Sequence, residues 1–399
     1  MATRSVKRVC PYCGTILLLE ALPLVCTARG LDSAVAQVTW DDTDASSSVW
    51  DPPSGAPSHG TLGAFPVLRE ANLTGSKVVK AMTRLQHPSE VADPRDMPRR
   101  ACTACLKALP EELDECDALL LAVVGLNRAG KTYFLGSSLN GATRFDGLAD
   151  YGVELFEPLE ETASVLHKNY YQPLFHRHER LPITPVMDHV ERPPLVFRVK
   201  LTGLRPFLLF THDISGEALV SNQTRHVTAS FLRRANAMIF ITDPLDVEYI
   251  EWNLAPEEVE EAGGGLRDLN QTALLEALLR ELPTPGGGKT PHLAVALSKS
   301  DLIEKATGRK YRFSEPPSPG DWRDDVRQVN EEIRELLTEM GESKLLRLSD
   351  GYPRTSFHAM SVLGRESDRE RRHGRPVPLR VMDPLATVLE AMRPMVGAE

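Results

Sequence analysis

Residues 118–132 read ALLLAVVGLNRAGKT, and no other stretch restricts the possible folds as tightly. The apolar run Ala118–Val124 is short, unbroken and closed by glycine, as expected of a strand buried on both faces of a parallel sheet. It ends in Gly125-Leu126-Asn127-Arg128-Ala129-Gly130-Lys131-Thr132, the pattern G-x-x-x-x-G-K-[ST]. Gly125 and Gly130 let the backbone wrap so that the N–H groups of Asn127, Ala129, Gly130, Lys131, Thr132 and Tyr133 can turn toward phosphate oxygens. Lys131 adds a point charge for the β- and γ-phosphates, and the Thr132 hydroxyl is a ligand for Mg²⁺. The helix that begins at Lys131 points its positive end at the same anion.

Downstream of this loop, buried strands alternate with helices. PLVFRVKL (194–201) and PFLLFTHD (206–213) form a hairpin, followed by AMIFITDP (237–244), HLAVALSKSD (292–301) and TSFHAMS (355–361). Helical spacing marks residues 220–235, 269–282 and the segment from Val326 to Met340. A further helix over 383–392 opens with an Asp383 cap and Pro384. Residues 146–180 read as a long polar-apolar stretch, helical in its later part.

The strand ends carry the remaining chemistry. Asp213-Ile214-Ser215-Gly216 is D-x-x-G at a strand terminus, where an acid holds Mg²⁺ and a glycine N–H can reach a γ-phosphate. Ser298-Lys299-Ser300-Asp301 reads a base. Lys299 would lie over a purine face, and Asp301 would accept from guanine N1–H and its 2-amino group, a donor pair that adenine lacks. Ser361 and Val362 would present backbone N–H groups to the guanine carbonyl.

In order and spacing, these four motifs resemble the Ras-like and translation-factor class of P-loop GTPases over residues 117–395. The resemblance implies a three-layer α/β fold, with a mostly parallel sheet carrying one antiparallel hairpin strand. It also implies GTP/GDP and Mg²⁺ as cofactors, and hydrolysis of GTP to GDP and phosphate. It assigns Thr184, in LPITPV, to closing over Mg²⁺ and the γ-phosphate. Two positions depart from the pattern. Ser298 replaces a longer Asn or Thr, and Glu217 stands where many relatives have a Gln that orients the attacking water. Arg128 matches an arginine in the loop of guanylate-binding and atlastin-type GTPases, which use it as an internal finger and pair across the nucleotide face. That likeness implies a homodimer. Three functions therefore stay open: a hydrolysing switch, a GTP-dependent scaffold with negligible hydrolysis, and a P-loop ATPase.

All six cysteines lie in residues 1–116. Cys10-Pro11-Tyr12-Cys13 and Cys102-Thr103-Ala104-Cys105 supply the thiolates for a closed Zn²⁺ site of ribbon type, while Cys26 and Cys116 are left over. The expected division is a zinc-ribbon-like domain over 1–116, with a long, partly disordered insertion at about 27–100, and a nucleotide domain over 117–399. Within the insertion, 72–85 has the spacing of a short amphipathic helix. The combination resembles bacterial GTPases of the double-GTPase family, which implies action in a multi-component conflict or signalling system. A protein partner would be read by the switch segments and the ribbon.

A net charge of −9 argues against broad nucleic-acid binding. The basic run at 369–375 is diluted by acids and reads as a solvated loop. Glu20 interrupts the N-terminal apolar run and a cysteine pair precedes it, which opposes a signal peptide. No run is long enough to span a membrane, so the expected location is the cytoplasm.

Overall fold

In the computed structural model the described residues are 109–399, apart from 145–146, 160, 178–193, 221–230, 263–269, 283–289, 319, 365–375 and 398–399. Before them are described 7–12, 15–19, 22, 24–25, 61–62, 65–68, 99–100, 102 and 104. The chain divides into two units, Met1–Ala118 and Leu119–Glu399. Among the described residues no helix is long and apolar enough to cross a membrane.

The larger unit is built on a seven-stranded sheet. Its strands are β1 (Asp117–Gly125), β2 (Val153–Pro158), β3 (Leu195–Leu201), β4 (Phe207–Ser215), β5 (Ala237–Thr242), β6 (His292–Leu297) and β7 (Thr355–Ala359). They lie in the order β7-β6-β5-β1-β4-β3-β2. β1, β5, β6 and β7 run parallel, whereas β3 runs against both of its neighbours. Every residue of β5 is buried, and successive side chains point to opposite faces, so both faces of the sheet are covered. This is the mixed, mostly parallel α/β sheet that the apolar runs imply, with β3 antiparallel to both of its neighbours.

Helices α1 (Lys131–Ala142), α2 (Gly216–Val220), α3 (Gln271–Glu281), α4 (Ser300–Thr307), α5 (Trp322–Glu339) and α6 (Asp383–Met392) fill the crossovers. The apolar stripe Val326, Val329, Ile333, Leu336 and Leu337 is buried as its spacing requires, and α5 packs on β7. α6 packs on β5 and β6. Most of 220–235 lies outside the described residues.

Two readings are corrected. Residues 146–180 are helical in their later part as expected, but their first part is a strand that the sequence did not show. They contribute the edge strand β2, then a helical turn, Thr162–Leu166, and a π-helix, His167–Arg177, with Pro173 inside it. β2 looks polar because Glu154 and Glu157 face cross-strand cations, Lys200 and Arg198, on β3. Asp383 is also not the cap, a position that Met382 takes. It lies inside the first turn of α6, buried, with its Oδ2 accepting from Arg380 Nη1 at 2.9 Å and its Oδ1 from the Tyr151 hydroxyl at 3.0 Å.

In the N-terminal unit, Lys7–Val9 and Ile16–Leu18 form an antiparallel pair around the first cysteine pair. Cys10 N–H donates to Thr15 O at 2.8 Å, and Cys10 is fully buried. Leu109 N–H donates to Arg100 O at 2.7 Å, closing the chain around the second pair, where Cys102 is likewise buried. Cys13 and Cys105 lie outside the described residues. Among those described, no group of three or more His, Cys, Asp or Glu is placed to hold a metal. The insertion is not wholly irregular: Thr61–Leu62 and Phe65–Leu68 join Leu24–Val25 and Arg99–Arg100 in a four-stranded sheet. The 72–85 segment lies outside the described residues.

Candidate functional site

The predicted loops gather at the carboxyl ends of β1, β4, β5, β6 and β7, the edge at which open α/β sheets bind ligands. At the end of β1 the chain turns sharply. Arg128 has φ +66° and Gly130 has φ +91°, left-handed values that the second glycine adopts without strain. Gly130 caps α1, whose first residue is Lys131. Gly125 is required by close approach, since a Cβ there would meet Ile241 O at 2.7 Å. Gly216 is required for the same reason: a Cβ would meet Leu274 Cδ2 at 2.4 Å and Gly125 O at 3.0 Å. The D-x-x-G backbone and the start of the phosphate loop therefore touch.

Lys131 is only 3% exposed, and its Nζ donates to Leu126 O at 3.3 Å. Burial pushes its pKa below the ordinary lysine range, and the charges of Asp213 and then Glu217 oppose that shift. Lys131 is thus a buried cation within electrostatic reach of two carboxylates, Asp213 and Glu217. Thr132 and Tyr133 follow in the first turn of α1, half-buried, while Arg128 is exposed on the loop.

Glu217 does not point into solvent. Its Oε1 accepts from Asn127 N–H at 2.9 Å, and its Oε2 accepts from the Ser215 hydroxyl at 2.6 Å. The carboxylate thus occupies one backbone donor of the phosphate loop. No sequence pattern announces a contact between residues so far apart in the chain.

On the base side, Ser298 is buried against Gly130: a Cβ at Gly130 would lie 3.5 Å from Ser298 Cβ. Its hydroxyl donates to Thr242 O at 2.9 Å. Lys299 adopts φ +49°, and its ammonium is held by Asp243 Oδ2 at 2.6 Å and Ala262 O at 2.8 Å. Its alkyl stem alone remains for a purine face. Asp243, buried at the end of β5 and followed by proline, is a site-lining acid that the sequence reading missed. A carboxylate at a strand terminus was the available signal. Asp301 sits in the first turn of α4. Ser300 N–H donates to Met360 O and Met360 N–H to Leu297 O, which ties this loop to the one after β7. There one expectation is corrected. Ser361 N–H already donates to Leu379 O at 3.1 Å, and its hydroxyl accepts from Gly364 N–H, so only Val362 retains the proposed donor role. Thr184 lies outside the described residues.

No family model matches the chain. Over 318 residues it is 28% identical to a protein of Mycolicibacterium smegmatis provisionally named as an ESX-1 scaffolding and assembly protein, SaeC. The match covers 72% of this chain and 78% of that one. Among solved structures, the small GTPase Arl6 (BBS3) of Trypanosoma brucei with the bound nucleotide analogue GppNp aligns over 69% of this chain and 98% of its own. The identity is 13% and the TM-score 0.31, too low to carry an argument. The fold described above rests on its own strand order.

Proposed function

We propose that this chain is a guanine-nucleotide-binding switch whose nucleotide state governs assembly with other proteins. One observation carries the reading. A buried lysine opens α1 between Asp213 and Glu217, beneath glycine backbones that admit no side chain. The residues present fit a magnesium nucleotide, which would supply the triphosphate whose terminal bond is cleaved. Lys131 would neutralise the phosphates, Thr132 and Asp213 would hold the metal, and Asp301 would select guanine. Thr184 is proposed to close over the metal, and the paired cysteines at 10, 13, 102 and 105 to hold one Zn²⁺ that supports a partner-binding element. The relative's provisional name, a scaffolding and assembly protein, supports assembly as the output over turnover as an end in itself.

Hydrolysis is slow in this reading, because the Glu217 carboxylate accepts hydrogen bonds and cannot donate one to a transferring phosphoryl group. A faster GTPase is favoured by one feature, the exposed Arg128 on the loop. A guanidinium swung over the phosphates can neutralise charge developing in the transition state, and such fingers contribute roughly 10³–10⁵ in rate. Single-turnover hydrolysis with wild type and Arg128→Ala separates the two. A concentration-dependent rate that collapses in the variant establishes the finger. A slow rate, unchanged by the variant and by dilution, establishes the switch without it.

A further inference from the structure

Between β5 and α3 the chain carries DPLDVEYIEWNLAPEEVEEA, residues 243–262, with eight acidic side chains and no basic one. This segment alone therefore holds a formal charge of −8, against −9 for the whole chain. It is firmly seated. Leu245, Val247, Ile250 and Leu254 are buried beneath it, and Lys299 fastens both of its ends through Asp243 and Ala262. Lys305 of α4 pairs with Glu258. The outer side is different in kind. Trp252 is 77% exposed and Tyr249 46% exposed, three residues apart on the helix Glu248–Trp252. The same segment carries Glu248, Glu251, Glu257, Glu260 and Glu261, none with an ion-pair partner among the described residues, while Arg309, held by Glu339, lies within electrostatic reach of Tyr249.

A large aromatic pair left in water on a preorganised support is the composition of an interface anchor. The surrounding charge selects its occupant: acidic, membrane-surface and nucleic-acid partners are repelled, while cations are attracted both by the carboxylates and by the aromatic faces. We propose that residues 243–262 form a docking surface for a basic segment of a partner protein, one that presents arginine or lysine beside an apolar side chain. Trp252 and Tyr249 would take the apolar contact and the cation–π contacts, and the glutamates the flanking charges. The exposed side of this surface, Tyr249, Trp252 and the glutamates, contains no residue of the candidate nucleotide site.

The test is selection of a random 12-residue peptide library on the full chain, followed by anisotropy titration of the enriched peptides. The enriched peptides should carry net positive charge with at least one aliphatic or aromatic residue. Their binding should weaken with added salt, and fall by roughly tenfold or more in Trp252→Ala. Glu251→Lys and Glu257→Lys should each weaken binding as well. Glu257 is exposed on a separate helix, so an unchanged melting temperature in that variant separates lost binding from lost folding. Enriched peptides that are neutral or acidic, or that bind Trp252→Ala as tightly as wild type, overturn the proposal. Self-association of the full chain that disappears in Trp252→Ala would place a second copy on this face and overturn it equally.

Discussion

Glu217→Gln isolates the feature that most separates this site from an open phosphate loop. Both carboxylate oxygens are engaged, one by the Asn127 N–H at 2.9 Å and the other by the Ser215 hydroxyl at 2.6 Å. A triphosphate adds negative charge beside this carboxylate, so binding requires Glu217 to release Asn127 or to endure the repulsion. Glutamine keeps the shape and can still accept from Asn127, but it removes the charge. A hydrogen bond to a charged acceptor contributes about 1.5–3 kcal/mol where a neutral one contributes about 1 kcal/mol. With the relieved repulsion added, the variant should gain about 1.5–3 kcal/mol for triphosphate, or about 10- to 100-fold in affinity. Diphosphate carries less charge toward Glu217 and should gain less. The same change removes a carboxylate that supports the buried Lys131 ammonium, so the nucleotide-free protein should lose stability. Equilibrium competition with a fluorescent guanosine analogue gives the ratio of GTP to GDP affinity in each protein. A ratio that does not move toward GTP in Glu217→Gln refutes the reasoning.

Three further outcomes are expected. Arg380 is 3% exposed and bridges Asp325 Oδ2 at 2.7 Å and Asp383 Oδ2 at 2.9 Å, so Arg380→Met takes the guanidinium from both buried carboxylates and leaves Asp325 to Arg312 and Asp383 to the Tyr151 hydroxyl. It should cost about 3–5 kcal/mol and roughly 10 °C in melting temperature, measured by calorimetry; a shift of a degree or two would show the network to be dispensable. His292 and His358 share the Ser356 hydroxyl, each at 2.8 Å, and burial lowers their pKa values to about 4 and about 3. Both are neutral in the fold while the unfolded chain takes up protons below its ordinary 6.5, so stability is retained above that pH and lost as pH falls toward 4. His292 alone contributes roughly 3 kcal/mol to that loss, and His292→Gln should flatten the acid limb of a denaturation series; an unchanged limb would remove it from the account. Asp301→Asn should weaken GTP and favour xanthosine triphosphate, whose base presents an acceptor where guanine has its amino group. Unchanged GTP affinity would exclude Asp301 from base recognition.

The central strands were legible because each is a short apolar run ended by a polar or glycine residue. Ala237–Thr242 and His292–Leu297 need no tertiary information to be read. α5 was legible through its 3.6-residue spacing, and α6 through the Asp383-Pro384 pair that opens it. The phosphate loop and D-x-x-G are local patterns, so their positions at strand ends follow once the strands are placed. What stayed hidden depends on contacts distant in sequence. β2 escaped because its glutamates are neutralised by residues of β3 more than forty positions away. Asp383 resembles a helix cap until Arg380 and Tyr151 are brought to it. The pairing of the Lys299 ammonium with Asp243 and Ala262, and of the Ser361 N–H with Leu379, likewise joins residues that only the folded chain brings together.

The claim on which the account rests is that the loop at Gly125–Thr132 binds a guanine nucleotide through Lys131. Isothermal titration of the nucleotide-free protein with GDP, GTP and ATP in the presence of Mg²⁺ tests it directly, with Lys131→Ala measured in parallel. The account predicts one site per chain for guanine nucleotide, ATP weaker by roughly 100-fold or more, and no measurable binding in a Lys131→Ala protein that still melts cooperatively. Equal affinities for ATP and GTP would contradict the assignment of the base, and normal GTP binding by folded Lys131→Ala would contradict the site itself.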